Sequence, residues 1–112
     1  MHVVIFRSTR RADNAELYAE WSHRMDECVR GIEGYVDHVG FRDPATREGV
    51  TLAYFDSLDA IGRWRQDSEH RQAQELGRTN FYEDYTLEVA RVERNHSWRR
   101  PSPSDPDPGI RA

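Results

Sequence analysis

Two residues with a fixed spacing carry the strongest chemical signal in the sequence. His70 follows Trp64 by six residues, within a stretch of helical periodicity. The unperturbed pKa of histidine is about 6.5, so a modest shift suits the imidazole for proton transfer at neutral pH. A buried indole N–H needs an acceptor, and a ligand oxygen would be one. We therefore predict that His70 and Trp64 are the catalytic residues; a structural hydrogen bond and plain core packing are the alternatives.

Five further residues are candidates for binding a small molecule. His38 lies in the middle of a strand-like segment, and Gly40 on the same face would leave room for a ligand. Arg7 is a charge in an otherwise apolar strand, so it must pair with an acid or with a ligand. The other three are aromatic residues on or near predicted strands and helices: Trp21, Tyr54 and Tyr82. For each of the five, core packing, an ion pair or a dimer contact is the simpler alternative.

The patterns around these residues predict which elements position them. Four segments rich in β-branched and aromatic residues predict strands at residues 3–9, 35–42, 50–56 and 82–94. Asp13, with Glu16 three residues later, predicts the capped start of a first helix. Ser57 predicts the start of a second helix, and Asp67 interrupts it. The apolar residues of the first helix recur at spacings of three and four: Leu17, Trp21, Met25, Cys28 and Ile32.

The order of these elements is β-α-β-β-α-β, which predicts an α+β fold of the ferredoxin-like class with a four-stranded antiparallel sheet. Two helices cover one face of such a sheet. The strands carry apolar residues on both faces, so the second face needs a cover. With 37% apolar residues the core is lean for a small domain, and a second copy of the sheet would supply the missing burial. We predict a symmetric homodimer.

Composition limits the classes of function. The 112 residues predict one domain over residues 1–98, followed by a disordered Pro- and Asp-rich tail over 99–112. The net charge is −4 and the arginines are interspersed with acids, which argues against nucleic-acid binding. No apolar run approaches the roughly 18 residues that span a bilayer, and the first residues do not resemble a signal peptide. We expect a cytoplasmic protein that needs no membrane.

Cofactor signals are also missing from the sequence. Cys28 is the single cysteine, which excludes an internal disulfide and a cysteine-rich metal site. No metal-ligand cluster and no glycine-rich phosphate loop occurs in the sequence.

Residues 2–94 resemble the antibiotic biosynthesis monooxygenase (ABM) family of dimeric α+β barrels. The opening MHVVIFRS and the Gly34–Tyr35 strand entry fit that family. In the second half, a strand ends in an aromatic pair before Ser57, and a helix carries Trp64 with His70 six residues later. The remaining features of the resemblance follow in order: Ala73, Gly77, Arg78, Phe81, Tyr82 and Tyr85.

The resemblance implies one of two chemistries. Haem-degrading relatives place the iron-ligating histidine ten residues after the tryptophan, where this chain has Gln74, and keep an asparagine on the first strand, where it has Arg7 and Ser8. Glutamine is a poor haem ligand, so haem breakdown is disfavoured. The other branch is similar to cofactor-independent oxygenases, which deprotonate a phenol- or anthrone-like substrate and transfer an electron from its anion to O₂. Such chemistry needs a base and an apolar pocket.

The sequence thus favours a cofactor-independent monooxygenase that oxidises a small aromatic or polycyclic metabolite with O₂. Two alternatives from other classes use the same cleft. One is a non-catalytic binding or accessory protein, and the other is a cyclase or isomerase that moves protons without oxygen.

Overall fold

Four antiparallel strands form one sheet in the order β2-β3-β1-β4. The computed structural model describes residues 1–103. The elements follow one another along the chain as β1 (His2–Arg10), α1 (Ala15–Arg30), β2 (Tyr35–Arg42), β3 (Glu48–Phe55), α2 (Leu58–Gln66), α3 (Ser68–Leu76), a π-helical turn (Gly77–Phe81) and β4 (Tyr82–Arg91). The ferredoxin-like α+β fold predicted from the sequence is confirmed, with the second helix divided in two. Residues 104–112 of the predicted tail lie outside the described residues.

The break between α2 and α3 follows from Asp67. Its backbone N–H still bonds to the carbonyl of Trp64, while its own extended conformation ends α2. Its carboxylate then accepts from the N–H groups of Glu69 and His70 at 3.0 Å each and so caps α3. The Ser57 cap is confirmed as well, because its hydroxyl accepts from the N–H of Ala60.

The predicted cap of α1 is wrong. Asn14 occupies the cap position in the left-handed conformation, at φ 60°, and makes no side-chain cap. Asparagine tolerates this conformation better than other non-glycine residues. Its amide donates to the carbonyl of Asn80 at 3.1 Å, while the Asp13 carboxylate pairs with Arg11 at 2.9 Å. The Asp13 carboxylate therefore forms a salt bridge instead of capping α1.

Strand register decides which side chains face the helices. Val4 lies directly opposite Ala53 of β3 and Val89 of β4, and residues that oppose each other share a face. Val4 and Ala53 pack against the buried core, so even-numbered residues of β1 face the helices. Arg7 therefore lies on the other face, which no helix of the described chain covers.

The core is small and lies between the sheet, α1 and α2. Its buried members are Val29, Phe55, Ala60, Ile61 and Trp64. Leu17, a predicted stripe residue of α1, is 37% exposed instead, and Leu58 at the start of α2 is 59% exposed. Both lie in the first turn of their helices, beyond the area that the sheet covers.

The helix-free face of the sheet carries exposed apolar residues. Phe41 of β2 is 70% exposed and Val39 is 38% exposed.

Within residues 1–103, no helix is long and apolar enough to cross a membrane.

Candidate functional site

Trp64 and His70 form a stacked pair between α2 and α3. Their ring centroids lie 3.9 Å apart with the planes 13° from parallel. The indole of Trp64 is buried, at 9% exposed, and the imidazole of His70 is partly buried. Nδ1 of His70 lies 2.9 Å from the carbonyl oxygen of Trp64. Because a carbonyl only accepts, Nδ1 carries the proton in this bond.

That hydrogen bond fixes the tautomer and leaves Nε2 with a lone pair. No group within residues 1–103 hydrogen-bonds to Nε2 of His70, and Nε2 is not among the buried unpartnered atoms, so it reaches solvent. Burial lowers the pKa of His70 from its ordinary value, while the Trp64 carbonyl and Asp67 act in the opposite direction. The imidazole is therefore neutral at pH 7 and available as a proton acceptor.

The sheet is open on its helix side at β4. Leu87 and Val89 of β4 face the helices by register, yet they are 47% and 44% exposed. Val89 is the direct neighbour of Val4, which packs against the core cluster that contains Trp64. We call the apolar surface of Val4, Phe6, Leu87 and Val89 the β4 groove. The groove and the Trp64 cluster thus meet at Val4.

His2 lies at one end of this groove and was missed by the sequence analysis. Its Nδ1 is buried and has no hydrogen-bond partner within residues 1–103. By register it shares the helix-facing side with Val4. An orphaned buried nitrogen is costly unless a water or a ligand satisfies it. No sequence pattern distinguishes it, because its burial depends on how β1 packs.

A second opening lies between α1 and the edge strand β2, and we call it the β2 cleft. It encloses about 310 Å³ and is half open. Its floor comes from alternate residues of β2 and its roof from residues of α1 spaced by four. These six residues are His38, Gly40 and Arg42 of β2 and Tyr18, Ser22 and Asp26 of α1.

Hydrogen bonds close the β2 cleft at one end. Nε2 of His38 lies 3.0 Å from Oδ1 of Asp26, and Nδ1 lies 2.6 Å from the hydroxyl of Tyr35. With Asp26 as a carboxylate, Nε2–H donates to it and Nδ1 accepts from Tyr35. Both ring nitrogens of His38 are therefore satisfied, which suits a binding wall better than a free base.

Arg42 closes the other end of the cleft. Its Nη1 donates to the carbonyls of Arg47 at 2.7 Å and Ser8 at 3.3 Å. Its Nη2 donates to the hydroxyls of Ser8 at 2.8 Å and Tyr18 at 3.3 Å. All four acceptors are neutral oxygens, so the positive charge has no counter-charge among them.

The structure separates the other predicted binding residues. Tyr54 lies opposite Val3 and shares the helix-free face with Arg7, away from the Trp64–His70 pair. Trp21 lies on α1 with the guanidinium of Arg24 4.6 Å above its ring.

Tyr82 faces the helices beside Phe6, 5.3 Å between ring centroids. Burial, and then the hydroxyl of Tyr18, raise the pKa of Tyr82, so its phenol stays protonated. Of the seven predicted residues, only His38 is among the residues that line the β2 cleft.

Comparison with known proteins identifies a family and several similar proteins. Residues 1–76 match the family described as antibiotic biosynthesis monooxygenase. The chain is 38% identical over 93 residues to uncharacterized protein YqjZ of Bacillus subtilis, which covers 83% of this chain and 80% of that protein.

Two further relatives carry activities in their names. The chain is 27% identical over 94 residues to jasmonate monooxygenase ABM of Pyricularia oryzae, across 82% of this chain; it spans only 43% of that protein's length. The fold matches SnoaB, a cofactor-independent oxygenase from Streptomyces nogalater, with a TM-score of 0.71 at 16% identity. That match covers 84% of this chain and 94% of the other.

Proposed function

Because this chain belongs to the antibiotic biosynthesis monooxygenase family, we propose that it is an oxygenase that oxidises a small aromatic metabolite with O₂ and without a cofactor. The observation that carries this proposal is the Trp64–His70 pair, whose neutral imidazole keeps Nε2 available, while the Trp64 cluster meets the apolar β4 groove at Val4. The names of two relatives, a jasmonate monooxygenase and a cofactor-independent oxygenase, support the same class of reaction.

The reaction that suits these groups converts an acidic CH₂ group into a carbonyl. Nε2 of His70 accepts one proton from the substrate, and the resulting carbanion transfers one electron to O₂. The substrate radical and superoxide combine into a peroxide anion, which takes the proton back from His70 and becomes a hydroperoxide. Loss of water then leaves the C=O group, and both original C–H protons leave in that water. The CH₂ carbon supplies all four electrons that O₂ consumes, so no external reductant is needed.

The surroundings of His70 favour this sequence of steps. The apolar groove gives an aromatic ring a surface to contact, and a ring bound there displaces water from Leu87 and Val89. Trp64 fixes the plane of the imidazole by stacking and its tautomer by the backbone hydrogen bond.

The proposal includes a homodimer. The helix-free face carries Phe41 at 70% exposure and Val39 at 38%, and such surface is stabilised when a partner covers it. A second copy brings the same apolar face, which suits a two-fold symmetric contact. Arg7 and Tyr54 would then lie at the dimer interface rather than at the substrate.

Oxygen consumption with 1,8-dihydroxyanthrone tests the proposal. We expect uptake well above the uncatalysed rate, with one atom of ¹⁸O₂ in the quinone product and the other in water. The matched variants are His70→Asn, which removes the base, and His23→Asn, which changes an exposed histidine paired with Glu27 on α1. Only the first should reduce turnover.

Other outcomes point to the alternative functions. Conversion of substrate without O₂ uptake would identify a cyclase or isomerase. Tight binding of phenols and anthrones without any conversion would identify a binding protein, a result that the fully bonded His38 would also suit.

A further inference from the structure

The β2 cleft is separate from the Trp64–His70 pair and has the features of a binding site of its own. We propose that it binds a small molecule that carries a carboxylate at one end and a hydrogen-bond donor at the other, with the carboxylate on Arg42 and the donor on Asp26. Three features support this site: the charge of Arg42, the space in the cleft, and the pairing of residues on α1 with residues on β2.

The charge of Arg42 is not compensated inside the protein. Within residues 1–103 no carboxylate lies within ion-pair distance of its guanidinium. The group is partly buried, so solvent screens it less than at the surface. A carboxylate is the planar partner that a guanidinium binds best.

The hydrogen bonds of Arg42 leave capacity for such a partner. Two of its four contacts, to the Ser8 carbonyl and the Tyr18 hydroxyl, are long at 3.3 Å. The Nε–H group donates to no acceptor within the described chain. The Tyr18 hydroxyl also pairs with that of Tyr82, so within the described residues the Nε–H group of Arg42 is the donor left for a ligand oxygen at this end.

Small residues create the space around this guanidinium. A Cβ on Gly49 would lie 2.8 Å from Cζ of Arg42, so only glycine lets the group lie flat against β3. In the centre of the cleft, Gly40 faces Ser22, and neither fills the gap between strand and helix. The resulting volume of about 310 Å³ is at the small end for a ligand site.

Residues of α1 and β2 meet at both ends of the cleft because α1 runs antiparallel to β2. Asp26 meets His38 and Tyr18 meets Arg42, with Ser22 and Gly40 between them. His38 and Arg42 are four residues apart on β2, so their Cα atoms lie roughly 13 Å apart. Oδ1 of Asp26 is used by His38, whereas Oδ2 accepts no hydrogen bond from the described residues. A flat two-ring molecule with opposed polar groups fits this frame.

The test uses 6-hydroxy-2-naphthoate, its methyl ester and 2-naphthoate in calorimetric titrations of the full chain. We expect the acid to bind roughly tenfold more tightly than the ester, since a charge-assisted bond is lost. 2-Naphthoate should bind several-fold more weakly than the hydroxy acid. Equal affinities for acid and ester in the wild-type protein would overturn the proposal without any variant.

Variants then assign the preference to Arg42. Arg42→Gln should abolish the difference between acid and ester, while Arg42→Lys should keep part of it. Arg63→Gln is the matched control, because Arg63 also donates to a backbone carbonyl, that of Glu33, but lies outside the cleft. An acid preference that persists in folded Arg42→Gln would refute the assignment.

The position of the bound probe separates this inference from the proposed function. Amide chemical shifts should change at Gly40 and Thr51, which line the cleft, when 6-hydroxy-2-naphthoate is added. Changes confined to Leu87 and Val89 would place the acid in the β4 groove and refute the cleft site. Oxygen uptake with 1,8-dihydroxyanthrone is unaffected by either result, so the two proposals fail independently.

Discussion

Replacement of His70 by alanine and by asparagine separates its structural role from its chemical one. Alanine removes the stacking on Trp64, worth about 0.5–1.5 kcal/mol, and the Nδ1–H hydrogen bond, worth about 1 kcal/mol. We therefore expect His70→Ala to lower the free energy of unfolding by about 2 kcal/mol. The asparagine amide can still donate to the Trp64 carbonyl, so His70→Asn should cost about 1 kcal/mol.

Turnover should respond differently from stability. Neither variant has a basic nitrogen, and loss of a general base typically costs about 10²–10⁴-fold in rate. Both should therefore lose at least about 100-fold in oxygen uptake, although they differ in unfolding free energy. If folded His70→Asn keeps wild-type turnover, His70 is a structural histidine and the proposed mechanism has lost its base.

The pH dependence gives an independent check on the same residue. Burial lowers the folded-state pKa of His70, so below about pH 6.5 the unfolded chain binds a proton that the folded chain does not. Stability from this group is complete above pH 6.5 and falls as the pH is lowered. The difference in unfolding free energy between wild type and His70→Asn, measured with urea, should shrink between pH 8 and pH 5.5. A constant difference would contradict the burial of this imidazole.

Three further perturbations test the fold, the interface and the thiol. Gly34→Ala should lower the unfolding free energy by about 2–4 kcal/mol in urea titrations, because φ is +92° and the new Cβ would lie 2.5 Å from a carboxylate oxygen; a loss under 1 kcal/mol would contradict the tight fit. Phe41→Asp should convert the proposed dimer to a monomer in sedimentation experiments, whereas Leu58→Asp, on an exposed helix position, should not; a monomeric wild type would refute the proposed interface. Burial and then the hydrogen bond to Glu69 raise the pKa of Cys28 to about 11. Thiol labelling at pH 8 should therefore be about 100-fold slower in the folded protein than in the urea-unfolded chain, and Glu69→Gln should accelerate labelling of the folded protein. Equal labelling rates in the folded and unfolded chains would contradict the raised pKa.

Local patterns were sufficient for the elements and for one pair of site residues. Apolar periodicity predicted the order of strands and helices, because each element is specified by its own sequence. Trp64 and His70 meet because they are six residues apart across a single capped break. In contrast, β4 ends at Arg91, three residues before the prediction, since strand length depends on the partner strand.

The faces of the sheet and the β2 cleft required the structure. Arg7 and Tyr54 follow the regular alternation of side chains along their strands. Because the first residues of β1 are apolar on both faces of the sheet, alternation alone did not decide which face meets the helices. The cleft depends on pairing between α1 and β2, as in the contact of Asp26 with His38. Each spacing is visible in the sequence, yet their juxtaposition is a long-range property of packing.

The two openings result from one cause, because three short helical segments cannot cover all four strands. The helix side of β4 is left apolar, while the edge at β2 is lined by charged and hydroxyl groups. An aromatic substrate is held best on an apolar surface, which favours the β4 groove. An anionic ligand is held best where a guanidinium is already oriented, which favours the β2 cleft.

The variants His70→Asn and Asp26→Asn test whether oxygen reacts beside the β4 groove and the anion binds in the β2 cleft, or the other way round. We expect the first to stop oxygen uptake and the second to weaken binding of 6-hydroxy-2-naphthoate while leaving oxygen uptake intact. If Asp26→Asn stops oxygen uptake instead, the cleft holds the reaction and the Asp26–His38 pair is its base. The protein would then position its substrate by charge at Arg42 rather than by apolar contact beside Trp64.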